Sequence, residues 1–267
     1  MAQASATIAF QEVGKTFGDA RRAALDRVTL AVPERQFLAI VGPSGSGKTT
    51  LLRLVNRLAE PSSGTVQVAG EDVRDLDPIA LRRRIGYVFQ GIGLFPHMTV
   101  GENIAITLRL LGVDKPRMAA RVGDLLDLVR LDRAQYRDRF PDQLSGGERQ
   151  RVGVARAIAA GPKIVLMDEP FGALDPLTRD ALGSDYRKLH DALGLTTVMI
   201  THDMLEAVLL ADRIVVMRDG KLIADGTPRA LMSEVSNDYV RELMQTPRRQ
   251  AERLQALMDR DARNMPQ

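Results

Sequence analysis

Apolar and polar positions alternate over Thr7 to Val13 and Val28 to Val32, the two-residue period of strands in a half-buried antiparallel sheet. At Phe37 to Val41 alternation gives way to a continuous apolar run, as in a parallel strand covered on both faces. A glycine turn follows at once, then a helix expected to run through about Leu58. Val66 to Ala69 and Ile85 to Phe89 read as strands bracketing a short helix begun by Pro78, whose Arg82-Arg83-Arg84 reads as a solvated face. From about Gly93 to Gly161 the pattern turns helical, broken at Pro141. Strand and helix then alternate: Ile164 to Met167, a helix after Pro176, Thr197 to Ile200, a helix over Met204 to Leu210, and Ile214 to Met217. The predicted fold is α/β, with parallel strands and crossover helices, an antiparallel β subdomain and an inserted α-helical subdomain at about 93–161. No internal repeat or low-complexity linker interrupts it.

Composition narrows the picture modestly. A chain of 267 residues can bury one substantial core, and a formal charge of +3 without long charged blocks gives no argument for nucleic acid. With no cysteine, disulfides, zinc-thiolate sites and thiol catalysis are excluded, which suits the cytoplasm. The first residues lack the basic and apolar regions of a signal peptide, and no apolar run approaches the ~20 residues that span a bilayer. Any service to a membrane is expected to pass through a partner.

The first chemical motif is Gly42-Pro43-Ser44-Gly45-Ser46-Gly47-Lys48-Thr49-Thr50, a full G-x-x-x-x-G-K-T between the Phe37 to Val41 strand and a helix. Its glycines let backbone N–H groups point inward at phosphate oxygens, and the helix N-terminus adds a positive field. Lys48 is expected at the β- and γ-phosphates, Thr49 on Mg²⁺ and Thr50 near the α-phosphate. The second is Ile164-Val165-Leu166-Met167-Asp168-Glu169-Pro170, which brings two carboxylates to the end of a buried strand, where ligands bind in parallel sheets. Asp168 suits a hard cation, and Glu169 is the candidate general base for a water attacking the γ-phosphate. Alone, such a pair also fits a solvated turn or a helix cap. The surrounding motifs favour the chemical reading.

The third is Leu144-Ser145-Gly146-Gly147-Glu148-Arg149-Gln150-Arg151, a second glycine turn downstream of the phosphate loop and upstream of the carboxylate strand. With it the chain resembles the ATP-binding subunit of an ABC transporter over nearly all its length. The resemblance implies a P-loop NTPase (RecA-like) core over residues 1–240 and a short helical tail over 241–267. It further implies that Ser145, Gly146, Gly147 and Glu148 face the γ-phosphate of an ATP held by a second, head-to-tail ATPase subunit. Gln90 matches the residue that joins the core to the helical subdomain and senses Mg²⁺ and water. His202 matches the switch histidine on the γ-phosphate, and Asp175 the loop that crosses the dimer interface. Phe17 stands where the family places an aromatic ring on adenine, although a strand-end Phe packed into the core fits the sequence nearly as well.

Asn56-Arg57-Leu58, Glu60-Pro61, Leu76-Asp77-Pro78, Leu81-Arg82-Arg83 and Gln90 to Val100 resemble the ATPases of osmoprotectant importers for glycine betaine, choline and proline betaine. That resemblance implies transmembrane permease subunits docked in a groove beside Gln90, an extracytoplasmic substrate-binding protein, and a peripheral position on the cytoplasmic face of the membrane. Many relatives carry a pair of cystathionine-β-synthase domains after the ATPase, and sensing through that module is not expected here. Another importer, such as one for polar amino acids, or an exporter is the alternative; a non-transport ABC ATPase would need a coiled-coil insertion or a second ATPase domain. In the tail, Ala251, Leu254, Leu257 and Met258 share one helical face, expected to pack on the chain's own domain, with the dimer mate and lipid headgroups as alternatives.

Overall fold

The computed structural model describes residues 6–18, 23–91, 93–172, 174–233, 237–246, 249 and 252. With strands numbered in chain order, β1 (Ala6–Lys15), β2 (Leu25–Pro33), β4 (Ser63–Val68) and β5 (Glu71–Asp72) form an antiparallel sheet in the order β2-β1-β4-β5. A six-stranded sheet contains β3 (Phe37–Val41), β6 (Ile85–Val88), β7 (Ile164–Asp168), β8 (Thr196–Ile200), β9 (Arg213–Arg218) and β10 (Lys221–Gly226), ordered β10-β9-β3-β8-β7-β6. All its pairings are parallel except β9 with β10.

Every residue of β3, β7 and β8 is buried, and the two-residue period divides them between two cores. Phe37, Ala39, Val41, Val165 and Met167 join the core beneath the helices, while Leu38, Ile40, Ile164 and Leu166 join a second core beneath the antiparallel sheet. This double cover is why those strands read as unbroken apolar runs. The helices are α1 (Lys48–Val55), α2 (Pro78–Arg84), α3 (Val100–Leu110), α4 (Lys115–Leu128), α5 (Arg133–Tyr136), α6 (Gly146–Ile158), α7 (Pro176–Leu193), α8 (Met204–Leu210) and α9 (Pro228–Ser233). Side chains cap many of them: Thr99 and Ser145 build reciprocal capping boxes with Glu102 and Glu148, and Asp77, Asp114, Asp132, Asp175 and Asp203 each accept backbone N–H bonds.

Three expectations from the pattern need correction. The helix after the phosphate loop stops at Val55 rather than near Leu58, because Arg57 turns left-handed (φ 53°) and its guanidinium bonds Glu60 and the Leu76 carbonyl. Arg82 is not merely solvated; its guanidinium donates to the carbonyls of Asn56 and Arg57. The sheet also gains an antiparallel edge, β10, folded back through Asp219 (φ 54°) and Gly220 (φ 77°). That Asp-Gly step is a hairpin signal readable in the sequence. The tail face expected at Ala251, Leu254, Leu257 and Met258 lies outside the described residues, although Val240 and Met244, in the helical stretch 238–246, are buried in the larger core. No helix among the described residues is long and apolar enough to cross a membrane.

Candidate functional site

The parallel order β3-β8-β7-β6 sets four chain exits side by side at the carboxyl edge of the sheet, the edge at which such sheets bind ligands. The phosphate loop leaves β3, His202 follows β8, Asp168 and Glu169 end β7, and Gln90 follows β6. In the loop, Gly47 is left-handed (φ 98°) and a Cβ there would stand 2.4 Å from the Ala24 carbonyl oxygen, so only glycine fits. Lys48 is buried, and its Nζ donates to the carbonyls of Gly42 and Pro43, both at 2.8 Å, and to Ser46 Oγ at 3.5 Å. Burial pulls its pKa down, and the carboxylates of Glu169 and Asp168 oppose that pull. The ammonium is held against the loop's own carbonyls, and Lys48, Thr49 and Thr50 begin α1.

Asp168 is buried, and its Oδ1 accepts a bond from Thr49 Oγ1 at 3.2 Å. Burial raises its carboxyl above the ordinary range; the Thr49 hydroxyl works against that shift and the neighbouring Glu169 adds to it. Glu169 sits between two of the other predicted residues: Gln90 Nε2 donates to its Oε2 at 3.2 Å, and His202 Nδ1 lies 3.4 Å from its Oε1. Its backbone is left-handed (φ 48°), a conformation unusual for a residue with a Cβ, and is fixed by the bond from its N–H to the Ile200 carbonyl at 2.9 Å. The structure therefore brings Gln90, Asp168, Glu169, His202, Lys48 and Thr49 into one connected cluster.

Ser145, Gly146, Gly147 and Glu148 line a separate cleft of about 400 Å³ with Arg151, Leu174, Asp175 and Thr178. Ser145 caps the 13-residue α6, and Glu148 accepts bonds from the Ser145 N–H and the Tyr136 hydroxyl. The Tyr136 bond is the main reason its carboxyl lies below the ordinary range. Gly146 faces open space, whereas a Cβ on Gly147 would approach Thr178 Cγ2 to 2.6 Å, so this turn packs closely against the start of α7. Asp175 caps α7 through the Thr178 N–H. None of the phosphate-loop residues lines this cleft. Phe17 is 50% exposed with Lys15 Nζ 4.8 Å from its ring centre, which removes the reading of a core-packed strand end.

The sequence reading missed the charged groups behind this edge. Asp203 caps α8 and binds Arg179, whose other amino group reaches the Leu174 carbonyl; the buried Thr201 hydroxyl bonds the equally buried Glu206. Asp203, as an N-cap candidate after a strand, carried the one available signal.

A phosphate cradle, a carboxylate pair and a histidine gathered at the carboxyl edge of a parallel sheet define a P-loop nucleotide-binding protein. Residues 25–172 match the ABC transporter family, and the chain belongs to it. It is 45% identical over 234 residues to the glycine betaine/carnitine/choline transport ATP-binding protein OpuCA of Bacillus subtilis (strain 168), covering 88% of this chain and 61% of that protein. To the sulfate/thiosulfate import ATP-binding protein CysA of Caulobacter vibrioides it is 48% identical over 226 residues, covering 83% of this chain and 65% of that one. The chain thus spans about three fifths of the length of the first curated relatives it matches. Among solved structures it resembles the bacterial ABC transporter cassette MJ0796, seen as a dimer, at 34% identity and TM-score 0.74, covering 82% of this chain and 98% of that one. The same cassette is known in a post-hydrolysis state bound to ADP and Pi, at 33% identity and TM-score 0.74, with the same coverage of 82% and 98%.

Proposed function

We propose that this chain is the ATP-hydrolysing subunit of an importer for a quaternary-amine osmoprotectant of the glycine betaine or choline type. The observation that carries the ATPase reading is Glu169 held between Gln90 and His202 beside a phosphate loop whose Lys48 ammonium is bonded to the loop's own carbonyls. Lys48 and the N–H groups of Gly45, Gly47 and Thr49 bind and orient the phosphates, and Phe17 offers its exposed ring to the base. Glu169 accepts the proton of the attacking water, with Gln90 and His202 fixing its two oxygens. Thr49, Asp168 and Gln90 are all hard oxygen donors. A site with so few protein ligands suits Mg²⁺, which keeps waters and phosphate oxygens in its shell, and no group of three or more His, Cys, Asp or Glu among the described residues offers an all-protein cage. When bound, that ion neutralises phosphate charge.

The Ser145 turn completes the site of a second copy, a reading supported by its separation from this chain's own phosphate loop and by the dimeric cassette it resembles. Binding energy available only in the closed pair drives dimerisation, and hydrolysis releases it. A groove of about 290 Å³ lined by Leu58, Tyr87, Phe89, Phe95, Leu110 and Arg156, beside Gln90, suits a short permease helix, with Phe89, Phe95 and Leu110 exposed to receive it. In this reading the chain lies at the cytoplasmic face as a peripheral subunit, residues 93–161 form the helical unit that meets the permease, and an extracytoplasmic binding protein delivers solute. No nucleic acid takes part. The OpuCA likeness favours the osmoprotectant, while the 48% identity to CysA favours a second reading, import of an oxyanion.

Deleting the gene in a strain without redundant carriers is expected to abolish high-osmolarity accumulation of labelled glycine betaine or choline and to leave sulfate uptake intact. The reverse result selects the second reading.

A further inference from the structure

The loop after β8 and the loop before α7 are joined in the same chain by a side-chain network. Arg179, in α7, donates from Nη1 to Asp203 Oδ2 at 2.8 Å and from Nη2 to the Leu174 carbonyl at 3.1 Å. Asp203 is the neighbour of His202, and Leu174 is the neighbour of Asp175. One guanidinium thus holds the residue beside the γ-phosphate histidine and the residue beside the dimer-facing aspartate. Its planar fork reaches two acceptors that a single ammonium cannot span with the same geometry.

The far side of the same loop is held from α8. Thr201 donates its hydroxyl to Glu206 and accepts the Asp203 N–H at 3.0 Å, while Asp203 Oδ1 accepts the N–H groups of Leu205 and Glu206. Thr201 and Glu206 are both buried, and Glu206 Oε1 and Arg179 Nε are buried without a partner, the cost of a polar cluster kept inside. The loop carrying His202 is therefore bound on both sides, by Arg179 toward Asp175 and by Glu206 toward α8. His202, with a side chain 62% exposed, is the member left facing outward.

We infer that Arg179 and Glu206 are positioning residues that make the His202 loop and the Asp175 loop one unit, so that phosphate sensing in one subunit sets the surface it presents to the second. This rests on the ATPase reading above. Without the Arg179 fork, His202 and Asp175 move independently; ATP still binds the phosphate loop but no longer favours the closed pair to the same extent.

The test uses the full chain carrying Glu169→Gln, with ATP affinity measured by titration on dilute monomer and ATP-driven dimerisation by light scattering. Adding Arg179→Met is expected to leave monomer affinity within about twofold while raising the protein concentration at half dimerisation about tenfold. Arg179→Lys, which keeps the Asp203 pair without the fork, is expected to lie between. Glu206→Leu is expected to shift dimerisation in the same direction, and Glu206→Gln, which keeps an acceptor for Thr201, to restore the parent value. The inference is overturned if Arg179→Met and Arg179→Lys dimerise like the parent, or if affinity and dimerisation fall together in both. A Glu169→Gln parent that binds ATP without dimerising would instead overturn the composite-site reading itself.

Discussion

The turn from Gly42 to Thr50 and the turn from Ser145 to Gly147 both open helices with glycine, yet their surroundings differ. At the first, Lys48 is buried, bonded to three oxygens of its own loop, and backed by Asp168, Thr49 and Glu169 from the same chain. At the second, the Ser145 and Glu148 side chains accept each other's backbone N–H groups and Glu148 also takes the Tyr136 hydroxyl, Gly146 faces open space, and the wall beside Gly147 is Thr178 of α7. The first turn has the lysine, acid and base expected of phosphate chemistry; the second has a helix N-terminus, no lysine, and two lining carboxylates, Glu148 and Asp175, that are engaged in capping helices. What the difference teaches is that a glycine turn with no lysine, whose neighbouring carboxylates serve as helix caps, suits the proposed role of lid over a second copy's site.

The largest effect that would sharpen the contrast is Glu169→Gln. Removing the proposed base while keeping its size and hydrogen bonding is expected to cut turnover by about 10²–10⁴-fold, read by phosphate release, with ATP binding retained. Normal turnover would remove Glu169 from the chemistry. Next in size is a stability effect behind the site. Glu206 has its carboxyl raised from 4.5 to about 7, chiefly by burial and further by Asp203, with the Thr201 hydroxyl, Arg179 and His202 acting in the opposite sense. The unfolded chain ionises this group above pH 4.5 while the fold keeps it protonated to about pH 7, so native stability falls across that window and levels off above it. Glu206→Gln lacks this penalty. Its advantage over the parent in denaturant unfolding is expected to be absent near pH 4.5 and to grow to at most about 3 kcal/mol above pH 7. An advantage independent of pH would contradict the assignment.

Lys48→Met is expected to weaken ATP binding by about 10- to 100-fold, as loss of a charged hydrogen-bond donor does, and unchanged affinity in a titration would remove it from the phosphate site. The smallest effect belongs to the second turn. Ser145→Ala deletes the α6 cap and is expected to lower stability by about 1 kcal/mol, a melting shift of a few degrees, while leaving ATP affinity of the monomer unchanged. A fall in monomer affinity comparable to that of Lys48→Met would erase the distinction between the turns.

The strands that position the site were legible because their burial on both faces writes continuous apolar runs: β3 has the bounds the pattern implies, and β7 and β8 differ by one residue. The phosphate loop was legible because its backbone geometry demands glycine at fixed spacing. Less was readable where tertiary contacts decide. The end of α1 depends on where the Arg57 guanidinium finds acceptors, and Arg82 is fixed by carbonyls 25 and 26 residues away. Arg179 and Glu206 match no known short motif: Leu174 and Thr201 stand five residues away from them, but Asp203, which ties Arg179 to the loop after β8, is 24 residues away. The hairpin into β10 carries a local signal in Asp219-Gly220, the Asp-Gly step that turns the chain back against β9.

The central claim, that the Ser145 turn closes a second copy's ATP site, is tested most directly by light scattering of Glu169→Gln and of Glu169→Gln with Ser145→Arg, each in Mg-ATP, with ATP binding titrated on the same samples. The account predicts that both bind ATP, that the single variant becomes a dimer, and that the double variant stays a monomer because bulk and charge obstruct only the closed interface. Equal dimerisation by the two proteins, or loss of ATP binding in the Ser145→Arg monomer, would contradict it.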